Sequence, residues 1–405
     1  MPDGWLRFGV DRPRALSPGA VASPDAQGLG YHPRVPTTIQ VEDLPDIARG
    51  CSVLGAGGGG EAYTATLMAT QAIEEHAPIE LVDYDELPQD ALVMSCGFLG
   101  APTVTIEKLS SGEEGRYLRE EIERLWDQPV AALMCAEIGG SNGMAPLTWA
   151  ARMGLPVLDA DGMGRAFPEV QMVTMELAGI PVAPAVVVDE RGHRAVFHEV
   201  HGEWSERLER AVAIACGGIA ASAEYTMTVA QARTATVPGT MTLAGRIGRA
   251  ISGAQDDPVA SVIAATGAAR LLDGKIVDVA NRIEGGFVRG VATVEGTRGD
   301  AGRTLEIEIQ NELLLARVDG QLRAIAPDLI TLLDEQTGEA IHTERLKYGK
   351  RVVAIAIPCP PVWRTEAGLR TAGPAAFGFD LAYTPVEELN PGTGSWPGAD
   401  AGVPA

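Results

Sequence analysis

The chain has 405 residues, of which 46% are hydrophobic and 21% charged, a globular composition with room for two or three domains. A formal net charge of −22 repels nucleic-acid phosphates and anionic lipid surfaces, which argues against either as a partner. The five cysteines, Cys51, Cys96, Cys135, Cys216 and Cys359, form no CxxC pair; this excludes a finger-type zinc site and a disulfide framework and fits a cytoplasmic location.

Residues 1–36 are rich in Pro and Gly, lack an apolar signal core, and read as a mobile arm. VEDLPDIARG then reads as a short helix, CSVLGAG as an apolar strand, and EAYTATLMATQAIEEHA as a helix with Ala62, Ala65, Ala69, Ala72 and Ile73 on one side. IELVDYDEL and ALVMSCGFLG are candidate strands, GEEGRYLREEIERLWDQ a charged amphipathic helix, PVAALMCAEIGG a buried strand, NGMAPLTWAARMG a helix, and LPVLDADGMG a strand with an acidic end. This alternation predicts an α/β fold: a mostly parallel, Rossmann-like, three-layer N-terminal domain beginning at residues 37–185. Residues 186–273 complete it, with a hairpin turning at Gly192, a helix over WSERLERAVAIACGGIAASAEYTM and another over TMTLAGRIGRAISGA. Residues 274–388 read as a smaller β-rich C-terminal domain, with turns at Asp319-Gly320 and Thr337-Gly338, and 389–405 as a mobile tail.

Gly55, Gly57 and Gly60 match GxGxxG, with Asp83 about 20 residues further on. In a dinucleotide enzyme such glycines bring a pyrophosphate to a helix N-terminus. Glu61, however, places a negative charge where the phosphate would sit, which disfavours NAD. A tight turn, or the approach of a small neutral ring to bare N–H groups, accounts for the glycines equally well.

Ligands in open α/β sheets sit beyond the carboxyl ends of strands. Those ends carry Cys96; Cys135, Glu137 and Asn142; and Asp159, Asp161, Glu169 and Gln171. Asp159 and Asp161 are two apart and share a strand face. Carboxylates converging in a pocket split their pKa values into a base and an acid. The alternative is that Asp161 caps the following turn and Glu169 pairs with Arg165. The cysteines are either nucleophiles, soft metal ligands or packed hydrophobes. His193, His198 and His201 lie close in sequence without a further zinc ligand beside them.

CSVLGAGGGG, AEIGGSNG, DADGMGRAFPEVQM, VPGTMTLAGRIGRAI and IQNELLLARVDG resemble the S-methyl thiohydantoin desulfurase family, and the resemblance covers roughly residues 38–388. APDLITLLDEQTGEAIHTERLKYGKRVVAIAIPCPPVW resembles its second domain and the tail of hydantoinase and oxoprolinase proteins. The resemblance implies hydrolysis of an S-methyl thiohydantoin to a hydantoin and methanethiol. The residues at the strand ends then take expected roles. Asp161 is the base, and Glu137 or Glu169 the acid. Gly57, Gly58, Gly59 and Gly60 or Gly139 and Gly140 are oxyanion donors, and Asn142 and Gln171 read the ring edge. A divalent metal held by Asp159, Asp161 and Cys135 is the alternative source of activated water. Expected partners are a small cyclic substrate, further copies of the chain, and a hydantoinase or oxoprolinase, of which this chain is alternatively a non-catalytic subunit. A nicotinamide-dependent oxidoreductase is the competing enzyme class.

Overall fold

A computed structural model of the protein describes residues 37–100, 104, 108–198, 200–284 and 287–398. The expected arm, 1–36, lies outside the described residues. The described chain begins with β1 (Thr37–Ile39), α1 (Leu44–Leu54), α2 (Ala62–Glu75), β2 (Ile79–Val82), β3 (Leu92–Gly100), α3 (Glu114–Trp126), β4 (Val130–Cys135), α4 (Gly140–Met153) and β5 (Val157–Asp161). It continues through α5 (Thr174–Leu177), β6 (Ala185–Val188), β7 (Arg194–Phe197), α6 (Gly202–Ala215), β8 (Ile219–Ala223), β9 (Met227–Thr228), α7 (Val229–Ala235), β10 (Val237–Pro238), α8 (Thr240–Ser252) and α9 (Pro258–Thr266). The rest holds β11 (Ala269–Glu284), β12 (Phe287–Gly296), β13 (Thr304–Gln310), β14 (Glu312–Val318), β15 (Gln321–Ile325), β16 (Leu329–Asp334), β17 (Arg351–Ile357), α10 (Glu366–Ala372) and α11 (Val386–Leu389).

The larger sheet runs β1-β2-β5-β4-β3-β8-β6-β7, with β10 on β5 and β9 on β3. Its centre, β2-β5-β4-β3, is parallel; β1 and the β8-β6-β7 side are antiparallel. β4 and β5 are buried almost throughout, as strands covered on both faces must be. Alternation along β3 sorts those faces. Phe98 packs its ring on Trp149 of α4, while Leu99 joins Val187, Ala220 and Ala213 of α6 in a separate cluster. Helices therefore cover both sides, and the expected three-layer α/β domain is present with antiparallel flanks. In α3, Leu118 and Ile122 turn inward one helical turn apart, and the outer face is laced by Arg116–Glu120 and Arg119–Glu123 pairs.

The second sheet is antiparallel in the order β15-β14-β13-β12-β11-β17-β16. Its inner face forms its own core around Leu272, Ile307, Leu332 and Val352. Leu333, Val353 and Ile355 alternate to the opposite face and join the core of the α/β domain. Its first strand begins at Ala269.

Three local readings differ from the sequence expectation. CSVLGAG is not a strand: Cys51–Leu54 continue α1, with Leu44, Ile47, Ala48, Cys51 and Leu54 buried at helical spacing. Gly50 suggested a stop, but it sits mid-helix because a side chain there would collide with the backbone of α8 at Ala244. The helix expected over WSERLERAVAIACGGIAASAEYTM ends at Ala215. Gly217 and Gly218, both at positive φ, turn the chain, and Ile219–Ala223 pairs as β8 between β3 and β6. The expected tail is packed as far as Gly398, with Trp396 buried and the Arg246 guanidinium donating to the Pro397 carbonyl.

Candidate active site

A cleft of about 820 Å³, part of it open to solvent, lies beyond the carboxyl ends of β3, β4 and β5, on the α6 side of the larger sheet. Four glutamates line it, Glu137, Glu169, Glu224 and Glu312, together with Arg210, Asn142, Asn311, Tyr225 and Phe167. β4 delivers Glu137, the chain after β5 delivers Phe167 and Glu169, β8 delivers Glu224 at its end, and the tight β13–β14 turn delivers Asn311 and Glu312. The second sheet thus supplies one wall.

Glu137 is buried; its Oε1 accepts from Asn142 Nδ2 at 2.6 Å and its Oε2 from the Phe167 N–H at 3.3 Å. Burial pushes its carboxyl up to about 8, against the pull of the Asn142 hydrogen bond. Asn142 also bonds the Phe98 N–H and C=O at 2.7 and 3.0 Å, so the end of β3 fixes the amide that orients Glu137. Behind the cleft Arg165 is fully buried, donating to the carbonyls of Ala166, Pro327 and Asp328 at 2.8, 2.8 and 2.9 Å with its guanidinium over the Phe167 ring. Burial lowers its pKa to about 10, so it stays charged at neutral pH; the surrounding acidic groups, Glu312 first, work against that fall. Desolvation holds the Glu312 carboxyl well above its ordinary range.

Glu169 is the least buried of the four. Burial raises its pKa, and the Gln171 amide at 2.5 Å and the Arg210 charge oppose the rise. Arg210 is held by Glu206 and by the Pro168 carbonyl, and Glu206 in turn accepts from the Val170 N–H at 2.9 Å. On the other side Glu224 lies against Glu209, whose carboxylate accepts from Ser205. Burial raises both, Glu209 to well above its ordinary range, where the neighbouring Glu224 charge adds to the rise.

The glycine loop joins α1 to α2, not a strand to a helix, so it lacks the strand–turn–helix setting that gives GxGxxG its meaning and that the nicotinamide reading requires. Its carbonyls are taken by the C-terminal part of the chain: the N–H of Leu313 in β14 bonds Ala56, and the N–H of Thr343, in the connection from β16 to β17, bonds Gly57, both at 2.8 Å. Gly57 and Gly58 lie outside the cleft lining, and a side chain at Gly58 would collide with the Glu312 carboxyl. Gly59 and Gly60 reach the cleft, where their carbonyls accept from Ser141. Gly139 and Gly140 also lie outside the lining, packed against Gly55 and Gly59 at the start of α4. Gln171 reaches the site only through Glu169.

Asp161 is fully buried at the end of β5 and outside the lining. Its carboxylate accepts from the N–H groups of Ile138, Met163 and Gly164 at 2.8, 3.0 and 2.8 Å, tying together the loops after β4 and β5. This is the turn-capping geometry weighed as the alternative for Asp161. Arg165, by contrast, makes no pair with Glu169. Asp159 accepts from the first turn of α8 at the Met241 and Thr242 N–H groups, 2.9 and 3.1 Å. Among the described residues no group of three or more His, Cys, Asp and Glu is placed to hold a metal, Asp159, Asp161 and Cys135 included. Cys51, Cys96 and Cys135 are buried with their thiol pKa values pushed up by desolvation, and His193 pairs with Asp189 at 2.7 Å. No helix among the described residues is long and apolar enough to cross a membrane.

Six of the lining residues named above are not among the sequence candidates: Glu224, Glu312, Arg210, Tyr225, Asn311 and Phe167. Glu312 carried a signal, since Gln310-Asn311-Glu312 ends the alternation of Leu305–Ile309 with three successive polar residues, and Asn311 takes positive φ in the β13–β14 turn. Glu224 carried none, because its strand was read as helix.

The raised carboxyls make stability fall with pH. Glu137 and Asp161, at about 8 and about 7, bind more protons folded than unfolded, so their contribution is complete below the ordinary carboxylate range and lost as pH rises through those values. A tenfold gain in proton affinity on folding corresponds to ~1.4 kcal/mol. Thermal melts from about pH 5 to about pH 9 are expected to show a falling Tm, with a shallower fall in Glu137→Gln. Parallel slopes in the two proteins would remove Glu137 from this linkage.

Comparison with known proteins places the chain. A crystal structure of a protein from Chromobacterium violaceum matches with a TM-score of 0.72 at 24% identity, covering 86% of this chain and 100% of that one, which shows a shared fold. No match was found among the curated proteins. The S-Me-THD-like N-terminal domain matches residues 42–199, and the S-Me-THD-like C-terminal domain residues 200–386. With both domains matched in order across the whole cleft-forming region, the chain belongs to the S-Me-THD-like family, that of the S-methyl thiohydantoin desulfurases.

Proposed function

We propose that the protein hydrolyses an S-methyl thiohydantoin to a hydantoin and methanethiol. The observation that carries this reading is the set of four glutamates converging on one cleft, with Glu137 protonated up to about pH 8 and Glu169 the least buried. The substrate ring is neutral and bears both donors and acceptors, which carboxyl groups in mixed protonation states match.

The reacting carbon lies between ring nitrogens and sulfur and is electrophilic. Glu169, its charge favoured by Arg210, takes a proton from water as the C–O bond forms. Glu137 gives its proton to the ring nitrogen. On collapse, Glu137 recovers a proton from the new hydroxyl as the carbonyl forms. The C–S bond breaks, and the thiolate takes the proton from Glu169. Both carboxyls end as they began. Positioned acid–base groups contribute ~10²–10⁴ in rate. Glu312 and the Glu224–Glu209 pair hold the ring edges, and Asp161 positions the loops that carry Glu137.

The test is methanethiol release from an S-methyl thiohydantoin by the purified full chain, before and after chelation. Release insensitive to chelator is expected. Loss on chelation, restored by one metal, would replace the carboxylate mechanism. No release from any ring-substituted form would overturn the reading.

A further inference from the structure

The larger sheet has a second chamber, of about 990 Å³ and part of it open to solvent, on its α4 face. It shares Phe98, Ser141 and Ile219 with the glutamate cleft, so the two spaces are neighbours around the end of β3. We infer that this chamber receives an uncharged, apolar or aromatic substituent of the ring bound in the cleft; the inference rests on the cyclic-substrate reading of that cleft.

Three observations carry it. The walls differ from those of the cleft: Trp149, Met68, Ala145, Ala65 and Leu109 line it beside Glu61, Glu114 and Glu190, and none of the four cleft glutamates reaches it. Phe98, half-buried and common to both linings, stands with its ring centroid 5.3 Å from that of the buried Trp149, so the wall between the two spaces is aromatic. The charged groups of its lining already have partners. Lys108 binds Glu190 at 2.7 Å and the Cys216 and Ile219 carbonyls at 2.5 and 3.0 Å, Arg345 binds Glu61, and Glu114 accepts from the Ser110 hydroxyl and the Ser111 N–H, both at 2.7 Å. Those cations have no unmet need for an acidic substituent, while a hydrocarbon one gains by leaving water. The geometry therefore divides the labour. The cleft handles the polar ring, and the chamber selects what the ring carries.

The experiment is calorimetric binding of methyl-substituted and benzyl-substituted hydantoin to the full chain. Burying the phenyl ring is expected to tighten binding about tenfold or more. Ala145→Phe, which fills the chamber from α4, is expected to abolish that ratio. Met68→Trp fills it from the half-exposed face of α2 and serves if the first variant does not fold. Equal affinities, or a ratio unchanged in the folded variant, would overturn the chamber while leaving the cleft reading standing. No binding of either hydantoin would overturn the cleft reading and the chamber with it.

Discussion

Glu137→Gln is expected to lower methanethiol release by ~10²–10⁴-fold with the fold intact. The substitution keeps the side-chain volume and a carbonyl oxygen to accept from the Phe167 N–H, and it removes the proton. Because the carboxyl sits at about 8, wild-type activity is expected to fall above about that pH as the donor ionises. In the variant that descending limb disappears along with the rate. Asn142→Ala acts through Glu137, since it frees the carboxyl from its 2.6 Å partner; it should lower kcat more than it raises KM. A loss below about tenfold in Glu137→Gln would move proton donation to another cleft carboxyl, Glu312 or Glu224.

Arg165→Met is expected to be the most destabilising single change at the site, by about 3–5 kcal/mol, read from a denaturant or thermal melt. The side chain is 0% exposed and serves two buried structures at once. It satisfies the carbonyls of Ala166, Pro327 and Asp328, which Met cannot do, and it sets a positive charge against Glu312 and Glu137. Orphaned buried carbonyls each cost about 1–3 kcal/mol, and Met returns part of this through apolar contact with Phe167. A loss under about 1 kcal/mol would mean that water replaces the guanidinium and that the cation is dispensable to the fold.

The architecture was largely legible because strand–helix alternation in residues 79–161 is written in apolar runs and glycine turns, and the antiparallel sheet in β-branched text after it. Illegible parts share one cause, tertiary contact overriding local signal. Gly50 looked like a helix end but marks where α8 crosses α1. Ile219–Ala223, rich in alanine, looked helical; it is a strand because its backbone pairs with β3 on one side and β6 on the other. The site followed the same division. Glu137, Glu169, Asn142, Gly59 and Gly60 stood next to readable strand ends or loops and line the cleft. Asp159 and Asp161 looked equivalent to them by position. Which strand-end carboxylate meets solvent and which meets backbone N–H groups depends on where the next loop folds, and no period in the sequence records that. Glu312 lies far along the chain from Glu137 and Glu169 and could be placed only by pairing one sheet against the other.

The glycine loop has a last consequence. Its carbonyls at Ala56 and Gly57 are claimed by Leu313 and Thr343, the Val53 carbonyl by the Thr331 hydroxyl, and the space above Gly58 by Glu312. A segment from one matched domain is therefore a mould whose cast comes from the other. The two are not interchangeable modules. A C-terminal half transplanted from a distant relative would arrive with a carboxyl of its own shape and reach, and the loop beneath it would have to be recut to suit. Diversification of substrate in this architecture must proceed by paired changes across that joint, which also runs through the chamber wall at the Arg345–Glu61 pair.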